Sequence, residues 1–306
     1  MSAFGVDPAV KAALIAALDK GEPLPMVEPG GASETKLTTW AGEVGLPPAV
    51  VLLAARLSPS TGVEVDPEAV TFVRALLLAI EPRADLSGVA HGWLAWSWHY
   101  ASEPLSRLMP STEGQLAGAA IAALHACVAR GNIVGRLDWR AARTRLSRLA
   151  AANDEAGRAA AVLQAGAWDL VRAPGAVDDA LSAWESLYRI RIQTADGWGE
   201  AEDAKLGALL GEVRPVVRER VGDNPGRGDP QALTVYVDLW RREFTTLMEQ
   251  HNDPIWDRFK AQQQAVGEAL SRLRQEGREA LVRLIGETPQ PDRQSADGVD
   301  GAASHG

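Results

Sequence analysis

The chain has 306 residues, 46% of them hydrophobic and 23% charged, with one cysteine and a formal net charge of -9 from 31 basic and 40 acidic side chains. That length supplies a core for one large domain or two ordinary ones. The single Cys127 excludes an intrachain disulfide and a thiolate zinc site built from this chain alone, and the negative surplus repels phosphate backbones, which argues against nucleic acid as a partner.

Residues 1–8 lack the basic and apolar stretches of a secretory signal, so a reducing, cytoplasmic setting is expected. Arginine outnumbers lysine and alanine is abundant, a bacterial pattern. The next strong signal is Asp-Pro, at Asp7-Pro8, Asp66-Pro67, Asp229-Pro230 and Asp253-Pro254. Aspartate there accepts a bond from an orphan helical N–H, and proline at the first helical position sacrifices no donor. Further starts are expected at Thr112, with Gln115 three residues on, at Asp138 and at Asp154.

With these starts, apolar periodicity predicts helices at 7–20, 34–44, 47–57, 66–81, 86–101, 112–130, 138–152, 154–171, 177–193, 200–221, 230–250 and 254–285. The apolar stretch 116–129 is shorter than the ~18–20 residues of a bilayer crossing and reads as a buried core helix, so no membrane span is expected. Strand patterns are lacking. The fold class expected is all-α, a bundle or irregular array of about 12 helices. No repeat of about 33 to 47 residues brings tryptophans, glycines and prolines into register.

The loop at 222–230 is the expected boundary between a helical body, 1–222, and a helical hairpin, 229–286. In the hairpin, Trp256, Phe259, Val266, Leu270, Leu273 and Leu284 recur at three- and four-residue spacing, with Gln263 and Gly277 as breaks. Leu233, Tyr236, Trp240, Phe244 and Leu247 repeat similarly in the preceding segment, and a short polar link folds the two antiparallel. The second arm would be about 48 Å long. Its stripe is the expected interaction surface, and the break at Gly277 suits the close approach of another helix. The polar, proline-containing composition of 287–306 predicts a disordered tail.

The chain holds 10 tryptophans against 4 phenylalanines and 3 tyrosines. Three of them fall in the segment His91-Gly92-Trp93-Leu94-Ala95-Trp96-Ser97-Trp98-His99-Tyr100. Trp93, Trp96 and Tyr100 fall on one helical face, with His91 and Trp98 well around from it. His91, Trp93, Trp96, Trp98, His99 and Tyr100 therefore form a candidate ligand or partner pocket, or the sides of an internal helix contacted from several directions. Eight residues separate His91 from His99, a spacing unsuited to metal, and Cys127 two residues after His125 faces elsewhere. Asp178, Asp179 and Glu185 lack the spacing of a metal motif, and no phosphate-binding, hydrolase or metal signature occurs.

The function expected is non-catalytic: a protein–protein interaction, scaffold or regulatory protein with a protein partner or self-association. The alternative is a helical small-molecule binder or enzyme with an aromatic pocket around Trp93, Trp96, Trp98 and Tyr100 and with His91 or His99 as acid–base. Neither metal nor cofactor is expected.

Overall fold

The computed structural model of the chain describes residues 3–29, 31–58, 65–102, 104–108, 111–151, 155–224 and 230–289. Its helices are α1 (Pro8–Asp19), α2 (Glu34–Val44), α3 (Pro48–Leu57), α4 (Pro67–Ala79), α5 (Val89–His99), α6 (Leu105–Leu108), α7 (Thr112–Ala129), α8 (Arg136–Ala150), α9 (Glu155–Gly166), α10 (Ala176–Ala195), α11 (Glu200–Val221), α12 (Pro230–His251) and α13 (Pro254–Gly286). Short 3-10 turns at Ala3–Val6 and Pro25–Val27 complete the set, and no strand occurs among the described residues. The fold is all-α, and no helix among the described residues is long and apolar enough to cross a membrane.

The expected caps form where residues are described. Asp7 accepts from the Ala9 N–H at 2.8 Å, Asp66 from Glu68 at 2.8 Å and Asp253 from Ile255 at 2.9 Å. Asp154 and Asp229 lie outside the described residues, as does 290–306 of the expected tail. Two starts move. Ser111, not Thr112, caps α7 through Gly114 N–H, and α8 begins at Arg136 because the Asp138 carboxylate reaches back to Gly135 N–H at 3.0 Å. Helix α9 stops at Gly166 rather than at 171: Arg143 takes the Ala167 carbonyl, and Asp169 closes a turn on Val171 N–H. The four-residue α6 had no apolar period to announce it.

The chain divides into two compact units, one of Met1–Leu187 with Arg272–Gly306 and one of Tyr188–Ser271. The link at 222–230 therefore lies inside the second unit. In the first unit α3 is the helix enclosed on every side, with Val50, Val51, Leu52, Leu53, Ala54 and Leu57 all buried. Helix α7, expected in that role, buries Ala117, Gly118, Ile121 and His125 but exposes Leu116, because its alanine-rich outer side has little apolar area to hide.

The second unit has its own core of Trp198, Leu206, Leu209, Val213, Val217, Leu247, Met248 and Ile255. Around it the rings of Trp240, Phe244, Trp256 and Phe259 follow one another at 4.8, 5.7 and 5.5 Å between centroids. Phe244 of α12 meets Trp256 of α13 across the link at Asn252 and Asp253, which folds the two helices into the hairpin.

Candidate functional site

Helix α5 is buried through Val89, Ala90, His91, Trp93, Leu94, Trp96, Ser97 and Trp98. Trp93 and Trp96 meet tilted at 5.7 Å between centroids and contact Trp184 of α10 edge-on at 5.7 and 6.3 Å. The Trp93 indole N–H donates to the Gly277 carbonyl of α13 at 2.9 Å. A Cβ on Gly277 would lie 3.0 Å from a Leu57 methyl and 3.1 Å from the Trp93 ring, so the glycine break in the α13 stripe is where α3 and α5 come closest. Gly118 is more stringent: a Cβ there would fall 1.9 Å from the Trp98 ring.

The expected pocket therefore divides. His91, Trp93, Trp96 and Trp98 are interior, whereas His99 is exposed at the end of α5 and Tyr100, 77% exposed, follows it. Tyr100 leaves the tryptophan face because it caps the helix in a non-helical conformation. The free space bounded by Trp93, Trp98, Gly118, His125 and Trp184 measures about 30 Å³, room for a single water.

His91 pairs not with His99 but with His125 of α7, Nδ1 to Nδ1 at 2.9 Å, and Trp139 packs 4.9 Å from the His125 ring. Both imidazoles are fully enclosed. His125 Nε2 lies 2.7 Å from the Gly166 carbonyl, which only accepts, so Nε2 is assigned the proton. His125 Nδ1 then accepts from His91 Nδ1–H, leaving His91 Nε2 bare, without a hydrogen bond, 3.9 Å from Asp169. Burial pushes His91 down to about 4 against the pull of Asp169. It pushes His125 down to about 3, with His91 adding to it and the Gly166 bond opposing it. The pair is thus held neutral and closed to solvent.

The expected interaction stripe of α13 is partly buried. Val266, Leu270 and Leu273 are buried, and Trp256, Phe259 and Leu284 half-buried. Cys127 is half-buried beside the Arg130 guanidinium. Among the described residues no group of three or more His, Cys, Asp or Glu side chains is gathered as for a metal ion.

A second constellation, in the first unit, was not singled out by spacing. Glu185 of α10, 7% exposed, accepts from Arg274 of α13 at 2.6 and 3.0 Å and from Arg56 of α3 at 3.1 Å. Arg56 also reaches Ser182 Oγ at 3.3 Å, and its Nε lies 3.2 Å from Asp178, off-line for a hydrogen bond. A carboxylate that accepts three guanidinium bonds offsets its desolvation, and it fixes the planes of both arginines. Arg274 is held above the usual guanidinium range by that bond. Asp178 is pushed up by burial, against Arg56, with Asp179 and Glu185 adding. Arg56, Asp178 and Arg274, but not Glu185 behind them, line a cavity of about 440 Å³ together with Glu34, Leu37 and Leu52. Asp178, Ser182 and Glu185 share one face of α10 at i, i+4, i+7, a polar stripe that was legible in the sequence; its arginine partners, from distant helices, were not.

Comparison of the chain with known protein families, with curated proteins and with solved structures finds no match.

Proposed function

We propose that the protein is a non-catalytic interaction protein, a scaffold or regulator, that assembles through the N-terminal half of α12. The supporting observation is that residues 231–241 include Leu233, Val235, Tyr236, Val237, Leu239 and Trp240, yet none of them is fully buried. Val235 is 60% exposed, Val237 41% and Leu239 42%, whereas Leu247 and Met248 farther along the same helix are enclosed. At 100° per residue the apolar side chains span an arc of about 200°, roughly twice what one packed face requires. Free apolar area of this kind on one helix is a feature of binding surfaces.

The occupant we assign is a second copy of the chain. Asp238 pairs with Arg241 at 3.6 Å and Glu243 with Arg220 at 3.2 Å, so the charges beside the apolar face are largely balanced within the chain, and a two-fold copy, the commonest symmetry of soluble assemblies, meets it without burying those charges unpaired. We place partner binding on α12 rather than on α13, whose stripe is buried at Val266, Leu270 and Leu273. The alternative, a ligand pocket among the tryptophans, is less well supported, since the space there suits one water.

Hydrogen exchange at low and high protein concentration tests the reading. Amides of 231–241 should exchange at least about tenfold more slowly in concentrated solution, while those of α3 stay unchanged. Equal rates at both concentrations would overturn it.

A further inference from the structure

We infer that the charged cavity of the first unit is a binding site for a zwitterionic small molecule, an α-amino acid with an aliphatic side chain, held between Arg56 and Arg274 on one side and Glu34 and Asp178 on the other. This goes beyond assembly through α12 and rests on separate residues.

The cavity measures about 440 Å³, enough for an amino acid together with several waters. Both arginines line it, and each is locked from behind by the buried Glu185 through its Nε or Nη2. Their Nη1 groups make no hydrogen bond within the described residues, so each guanidinium keeps donors for a carboxylate. The opposite charge is present too. Glu34, in the first turn of α2, makes no ion pair within the described residues, and its carboxylate oxygen sits 2.5 Å from where a Cβ of residue 175 would be. Gly175 is thus the residue that admits Glu34 beside the start of α10. Asp178 projects from that same start, 3.2 Å from the Nε edge of Arg56. Glu34 and Asp178 therefore offer acceptors suited to an ammonium.

An anion alone would face Glu34 and Asp178, and a cation alone would face two guanidinium groups; a molecule carrying both charges satisfies both sets. Burial lifts the Asp178 carboxyl, with Asp179 and Glu185 adding to it, and a bound ammonium would offset both. Leu37 and Leu52 supply apolar wall for an aliphatic side chain.

The test is calorimetric titration of the full chain with each of the common amino acids, with isopentylamine and with 4-methylpentanoate. At least one aliphatic amino acid should bind at millimolar concentration or tighter, and both single-charge analogues of leucine about tenfold or more weaker than leucine itself. Glu34→Gln, on an exposed and unpaired side chain, should weaken that binding about fivefold or more without changing the melting temperature. Arg56→Gln should weaken it further, with Arg274 still covering Glu185. No binding by any amino acid up to about 10 mM overturns the inference. So does equal binding of the amine or the acid, or an undiminished affinity in Glu34→Gln.

Discussion

At the scale of single residues, the molecule combines close packing with buried polarity. Gly118 has no room for a methyl group beneath Trp98. Gly118→Ala should therefore lower stability by about 1–3 kcal/mol, the usual cost of overpacking a well-filled core, while Gly277→Ala, whose neighbours need to yield only a few tenths of an ångström, should cost less. Urea unfolding of the two variants checks the order. Glu185→Gln keeps the shape of the side chain and removes the charge that two arginines share, and a loss of about 1.5–3 kcal/mol is expected from hydrogen bonds to charged groups. The His91–His125 pair makes stability depend on pH. Both imidazoles are depressed below their ordinary 6.5, so on acidification the unfolded chain takes up protons that the folded chain refuses. The stability held in the neutral pair is complete above about pH 6.5 and is lost as pH falls toward 4, at about 1.4 kcal/mol per pH unit for each imidazole. Urea midpoints should therefore be lower at about pH 5 than at about pH 7.5, and less so in His91→Gln; a midpoint independent of pH would contradict the neutral assignment.

At the scale of elements, the sequence was most informative where the signal is local. Asp7, Asp66 and Asp253 cap helices as their Asp-Pro context requires, and periodicity located every long helix because amphipathic faces are written at three- and four-residue spacing. The end of α9 was not legible, since bonds from Arg143 and within the Asp169 turn decide it. Nor was the site: His91 meets His125 from 34 positions away and Arg274 meets Glu185 from 89 away, and such pairings leave no trace in local spacing. The α13 stripe was read correctly as apolar, but period alone does not say what covers a face. Helix α11 illustrates packing overriding local preference. Pro215 lies inside it, between buried Val213 and Val217, where its missing N–H breaks a helical bond. Pro215→Ala should raise the stability of the second unit by about 1 kcal/mol or more, read as an upward shift in its thermal transition. An unchanged or lowered transition would mean that the ring makes contacts worth as much as the bond.

At the scale of the whole molecule, each unit keeps a core of its own, and α10 and α13 each contribute to both. The first unit holds the tryptophan cluster, the neutral histidine pair and the charged cavity; the second holds the incompletely covered half of α12. The proposed ligand site and the proposed assembly face thus use different residues. The central claim is that α12 is an assembly face, and light-scattering mass measurement tests it most directly. The wild-type chain should show twice its 32.6 kDa mass at micromolar concentration. Val235→Asp combined with Leu239→Asp should return it to a single chain with its helical content unchanged. A wild-type mass of one chain at every concentration, or a dimer that persists in the double variant, would contradict the account.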